Sequence, residues 1–186
     1  MEKRTGYLKT ELRAEETDLK KYIRGYFIVF NQMTQLYGDI WEEIAPEAVS
    51  DALDNVRALY NHNMDIVLGT TDNHTAILTK DAKGLFAEIE INEADPDAVG
   101  AHARVARGDI KGCSFGFYPT KEEHRSEDGK EIFRVTGMEL LEISPCVFPA
   151  YPQTSIAARQ KDLVDIKQRE LMLRKKKLLS RLKGDK

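Results

Sequence analysis

The chain has 186 residues, 41% of them hydrophobic and 32% charged, with a net charge of −3. That size and balance fit one domain plus a tail, able to bury a core without disulfide or metal staples. Residues 161–186 hold ten Lys/Arg against four Asp/Glu while residues 1–160 are net −9, which argues against nucleic-acid binding by the acidic body.

Two cysteines, Cys113 and Cys146, make no disulfide framework. Met1–Thr5 offers no apolar signal-peptide stretch, and no run approaches the ~18 apolar residues of a membrane span. An intracellular protein with no membrane contact is expected.

In chain order, residues 6–14 alternate loosely and read as an edge strand, and residues 15–21 as a charged loop. Tyr22–Phe30 is rich in aromatic and β-branched residues and reads as a strong strand, with Gly25 hinting at a bulge. Trp41–Leu53 reads as a helix with Pro46 near its start. Short strands follow at Val56–Tyr60 and Ile66–Thr70. Thr75–Thr79 and Leu85–Ile91, joined by Asp81-Ala82-Lys83-Gly84, form a hairpin pattern. Pro96–Arg107 reads as a helix capped by Gly108. Ile110–Pro119 is a strand, His124–Lys130 a polar loop, and Ile132–Thr136 and Met138–Val147 are strands. Lys161–Lys183 is a helical pattern with Val164, Leu171, Leu178 and Leu182 on one face and mostly Lys and Arg elsewhere. The many short strands predict a mainly-β (α+β) fold, a small closed β-barrel with flanking helices. The body spans residues 1–160 and the basic amphipathic helical tail residues 161–186.

The most specific chemical suggestion is Ser114, in Lys111-Gly112-Cys113-Ser114-Phe115-Gly116-Phe117. Strand alternation puts Gly112 and Gly116 on its face, clearing space for a substrate backbone, and turns Cys113, Phe115 and Phe117 into the core. A thiol in that setting is expected to be inert. The plainer reading of Ser114 is a small residue packed in a barrel. His62, bracketed by Asn61 and Asn63, is a candidate proton acceptor for that hydroxyl, or else a turn histidine bonding a carbonyl. Glu142 stands in the apolar run Leu140–Ser144. A buried carboxylate is costly unless paired, so it needs a partner: His62, or a Lys or Arg at a sheet edge. Glu139 is a weaker competitor. Together the three would make a serine hydrolase.

His74, His102 and His124 sit in a turn, on a charged helix and in a polar loop, and no His/Cys group has zinc spacing. Asp65, Asp72 and Asp81 form no calcium loop. Gly112-Cys113-Ser114-Phe115-Gly116 matches the letters of a nucleophile elbow, but Phe117-Tyr118-Pro119 cannot begin the helix that an elbow requires. No metal or cofactor is expected.

Five blocks in order carry a resemblance: residues 25–31 (GYFIVFN), 61–63 (NHN), 83–91 (KGLFAEIEI), 106–117 (ARGDIKGCSFGF) and 140–156 (LLEISPCVFPAYPQTSI). Together they resemble the prohead (capsid maturation) proteases of tailed bacteriophages, serine peptidases related in fold to the herpesvirus assembly protease. The resemblance covers roughly residues 5–160. It implies that Ser114 is the nucleophile and His62 the general base. Glu142 falls at the third position, where the herpesvirus relatives use a second histidine. It further implies an enzyme that cuts phage scaffold, the scaffolding (delta) segment of the major capsid protein, and itself. Such an enzyme would act inside the assembling procapsid in the host cytoplasm, self-associated or shell-associated. Ala157-Ala158-Arg159 is a candidate self-cleavage region, and the tail a candidate docking element for scaffold. The alternative is a non-enzymatic scaffold or structural assembly protein on the same barrel.

Overall fold

The computed structural model describes residues 3–9, 12–17 and 20–147, together with 164, 166–168, 171–172 and 174–175. The chain divides into two compact units, Met1–Tyr151 and Pro152–Lys186. In the second, the described residues are helical, and Val164, Leu171 and Met172 are exposed. Leu178, Leu182 and Ala157-Ala158-Arg159 lie outside the described residues.

The first unit carries β1 (Arg4–Lys9), β2 (Arg13–Glu16), β3 (Lys21–Val29), β4 (Thr34–Tyr37), β5 (Ile40–Ile44), a 3₁₀ turn (Pro46–Ala48), β6 (Arg57–Tyr60), β7 (Asn63–Thr70), β8 (Ala76–Lys80), β9 (Gly84–Glu90), α1 (Pro96–Arg107), β10 (Gly112–Glu127) and β11 (Lys130–Cys146). One sheet runs β1-β10-β11-β5-β4, with β6 also on β11 and β7 on β6; the second runs β2-β3-β9-β8. The fold is therefore mainly β with few helices. No ladder among the described residues joins the two sheets, which corrects the closed barrel expected above. A single apolar cluster links them instead: Ile23 and Phe27 of β3 and Leu85 and Ile89 of β9 share a core with Phe117 of β10 and Ile143 of β11, all under 2% exposed. Each such side chain contributes about 1.5–3 kcal/mol on burial.

β11 organises the site sheet. It pairs antiparallel with β10 along its length, and its other edge takes two parallel partners: β5 at Glu131–Val135 and β6 at Glu142–Ile143. Asp128 (φ 50°) and Gly129 (φ 74°) join β10 to β11, the two left-handed positions of a tight hairpin turn. The polar loop expected at His124–Lys130 is thus the outer end of a two-stranded arm. Its charged residues face neighbours: His124 Nε2 lies 2.8 Å from Glu131 Oε2, and Arg125 donates to Glu43 at 2.7 Å.

Two further expectations are corrected. Trp41–Leu53 is not a helix: Ile40–Ile44 is a strand tied to β11, and only Pro46–Ala48 turns helically. Pairing with β11 outweighs a weak helical pattern that already contained a proline. The N-terminal stretch is two strands in different sheets, β1 on β10 and β2 on β3. α1 is built as its sequence suggests. Asp95 caps it by accepting from the Asp97 amide, Pro96 opens it, and Gly108 at φ 84° closes it.

Candidate active site

Directly opposed residues of an antiparallel ladder share a face. Ser114 opposes Ser144, and Gly116 opposes Glu142, so all four lie on one face of the β10–β11 ladder. The register then slips: Phe117 opposes Leu140, leaving Leu141 as an extra residue. This bulge puts Leu140 and Glu142 on opposite faces, although simple alternation would place them together. It turns the carboxylate toward the serine strand.

His62 arrives from the other side. β6 runs parallel to β11, and its hairpin to β7 closes between Tyr60 and Asn63. The two turn residues are Asn61 (φ 54°) and His62 (φ 60°). This is the backbone of a tight primed turn, whose second position ordinarily takes glycine. Asn61 tolerates it readily; an imidazole there costs strain and needs outside support. Support comes from the end of β11. The Asn61 amide donates to the Pro145 carbonyl at 3.0 Å, and the His62 amide donates to Ser144 Oγ at 3.3 Å.

The ring then meets the carboxylate. His62 Nδ1 lies 2.8 Å from Glu142 Oε1, and Ser144 Oγ donates to Glu142 Oε2 at 2.7 Å. Lys3 Nζ stands 3.7 Å from Oε1. Glu142 is only 3% exposed, so its charge is met by three donor groups rather than by water. A carboxylate only accepts, so Nδ1 carries the proton and Nε2 the lone pair in the neutral ring. Nε2 is buried and has no hydrogen-bond partner among the described residues. The ring therefore presents an unused acceptor, held in one tautomer by a buried acid.

Ser114 is fully buried, and its hydroxyl donates to the Gly6 carbonyl of β1 at 2.7 Å rather than to the imidazole. The structure thus gathers Ser114, His62 and Glu142 around one sheet face and joins the last two directly. Gly116 does not hold room for a substrate backbone as expected. A Cβ there would meet Glu142 Oε1 at 2.4 Å and Lys3 Cε at 2.6 Å, so the glycine makes room for the carboxylate. Glu139 is exposed and takes no part. Cys113 is buried with its thiol near the Tyr26 and Phe27 carbonyls, and desolvation pushes it well above the ordinary thiol range. His74 is exposed, His102 lies 3.4 Å from the Glu15 carbonyl and His124 pairs with Glu131. No group of His, Cys, Asp and Glu suited to a metal occurs among the described residues, and no described helix is long and apolar enough to cross a membrane. Sequence reasoning passed over Ser144. The one available signal was its position two residues beyond Glu142, hence on the same strand face.

A hydroxyl, an imidazole and a buried acid on one face are the parts that serine hydrolases use for acyl transfer. Comparison with known proteins narrows the class. Residues 8–169 match the family described as Caudovirus prohead serine protease, and the chain belongs to that family. It is 31% identical over 161 residues to the prohead protease of Enterobacteria phage HK97, an alignment covering 84% of this chain and 68% of that protein. No solved structure matches the chain. The protein is thus a serine protease of the phage prohead.

Proposed function

We propose that Ser114 is the nucleophile, His62 the general base and Glu142 the acid that orients it. On this reading the enzyme cuts scaffold and the scaffolding segment of the major capsid protein inside the assembling procapsid, and cuts itself. The observation that carries the assignment is the His62–Glu142 contact, which leaves Nε2 as a buried, unpartnered acceptor. Acting first on shell proteins fits an enzyme of the prohead family that resembles the HK97 prohead protease. The acid at the third position stands where the herpesvirus proteases have a histidine, a substitution that keeps the same job: holding the ring and offsetting its positive charge.

Attack requires the Ser114 hydroxyl, which donates to the Gly6 carbonyl, to be released toward His62 Nε2 and to become reachable by an extended peptide. The Oγ–carbon bond then forms as the proton passes to Nε2. Glu142 stabilises the imidazolium through Nδ1–H. Collapse of the tetrahedral species returns that proton to the leaving amine and leaves an acyl-enzyme. Water, deprotonated by the same imidazole, releases the acid and restores the serine. No cofactor is required.

The test is co-expression with the phage scaffold and major capsid protein, read by gel and mass spectrometry. Ser114→Ala and His62→Ala abolish cleavage with the fold intact, and Glu142→Gln slows it strongly. Full processing by Ser114→Ala overturns the assignment; loss on Cys113→Ala instead moves the nucleophile by one residue.

A further inference from the structure

We propose that Ser144 is a positioning residue that sets both the base and the acid through one hydroxyl, an inference that rests on the roles given above to His62 and Glu142. Ser144 is fully buried. Its oxygen accepts from the His62 amide at 3.3 Å, and its single proton goes to Glu142 Oε2 at 2.7 Å. Each bond restrains something otherwise loose. The first pins a turn whose second residue holds an unfavourable left-handed φ of 60° without being glycine. The second fixes the carboxylate plane so that Oε1, and not Oε2, faces Nδ1 at 2.8 Å.

Without Ser144, Oε2 would be a buried, charged acceptor lacking this donor, and the carboxylate would rotate toward any donor it could find. The hydroxyl has only one hydrogen. That hydrogen is directed to Glu142 Oε2 while the oxygen takes the His62 amide, so one hydroxyl ties the acid to the turn that carries the base. β11 makes the arrangement possible: positions 142 and 144 lie on one strand face, while the Asn61–Pro145 bond brings the turn against the same strand end.

The experiment uses the full chain with Ser144→Ala, Glu142→Ala and the double variant. The first readout is the rate of Ser114 labelling by a fluorophosphonate probe. The second, independent of activity, is the Nδ1–H signal of His62 in ¹⁵N-histidine NMR. Ser144→Ala should slow labelling by about 10- to 100-fold, the worth of one hydrogen bond to a charged group. In the Glu142→Ala background the same change should cost no more than about twofold, since the two act as a unit. The Nδ1–H signal should broaden or vanish in Ser144→Ala while thermal unfolding stays cooperative. Ser144→Cys keeps the shape with a weaker donor and should fall between; it carries the comparison if the alanine variant misfolds.

An equal loss in both backgrounds overturns the proposal, as does an unchanged Nδ1–H signal in Ser144→Ala. A probe adduct mapped by mass spectrometry to Ser144 rather than Ser114 would make Ser144 itself the nucleophile and likewise overturn the proposal. If Glu142→Ala alone labels at the wild-type rate, the failure lies in the role assigned to Glu142.

Discussion

Gly116→Ala tests the site without removing any of its functional groups. The new Cβ would lie 2.4 Å from Glu142 Oε1, 3.1 Å from Glu142 Cδ and 2.6 Å from Lys3 Cε. Lys3 is 42% exposed and swings aside cheaply. Glu142 cannot, because it is enclosed and held by His62 and Ser144. To reach ordinary contact the carboxylate must shift by about 1 Å, which distorts its hydrogen bonds with His62 Nδ1 and Ser144 Oγ. A displacement of that size at a reacting constellation typically costs about 10²-fold in rate. Overfilling a packed site costs roughly 1–3 kcal/mol, which for a domain of this size lowers the melting midpoint by roughly 2–12 °C. The assay pairs fluorophosphonate labelling of Ser114 with thermal unfolding. Gly108→Ala is the control: its φ of 84° makes it destabilising, yet it sits at the end of α1 and should leave the labelling rate alone. Wild-type labelling by Gly116→Ala, with an intact His62 Nδ1–H signal, would refute the reasoning that this glycine exists to seat the carboxylate.

Three other outcomes are expected. His62→Gly and His62→Ala should both be inactive, but the glycine variant should be more stable by about 1–2 kcal/mol in thermal unfolding, because both lose the ring and only alanine keeps the left-handed strain. Iodoacetamide at pH 8 should neither modify the native protein nor inhibit it, and both thiols should react once it is denatured. Burial holds Cys113 far above the thiol range and pushes Cys146 up to about 12, so neither is a thiolate at that pH. Glu43→Gln should cost about 1–2 kcal/mol in urea unfolding at pH 7. Burial pushes the Glu43 carboxyl up, but hydrogen bonds from Arg125 and Arg134 outweigh it and hold the net value below the ordinary range. The stabilisation is therefore present above the unfolded value near pH 4.5 and fades as pH falls through the lower folded value, so the two proteins should converge in acid.

The His62–Glu142 contact was legible for a physical reason: a carboxylate in an apolar run needs a partner, and His62 was one of those the sequence offered. The hairpin at Ala76–Glu90 and helix α1 carry their own turn and cap chemistry, so local rules suffice for them. The strand at Ile40–Ile44 resembles a helix start because its strand character comes from pairing with residues about ninety positions later. The arm beyond Pro119 looks like a loop because it has two strands and polar faces, which removes the apolar alternation by which strands are recognised. Sheet closure depends on edges meeting across the core, and periodicity says nothing of that. The bulge at Leu141 is similarly silent: one skipped residue reverses which neighbour shares a face with Glu142.

An imidazole carried on a two-residue hairpin turn has no slack. Its location is inherited entirely from how β6 and β7 zip together, so a slip of one residue in that zip would carry the imidazole away from β11. On the assignment proposed above, correct zipping of these two strands is thus a condition for the base to reach its acid at all.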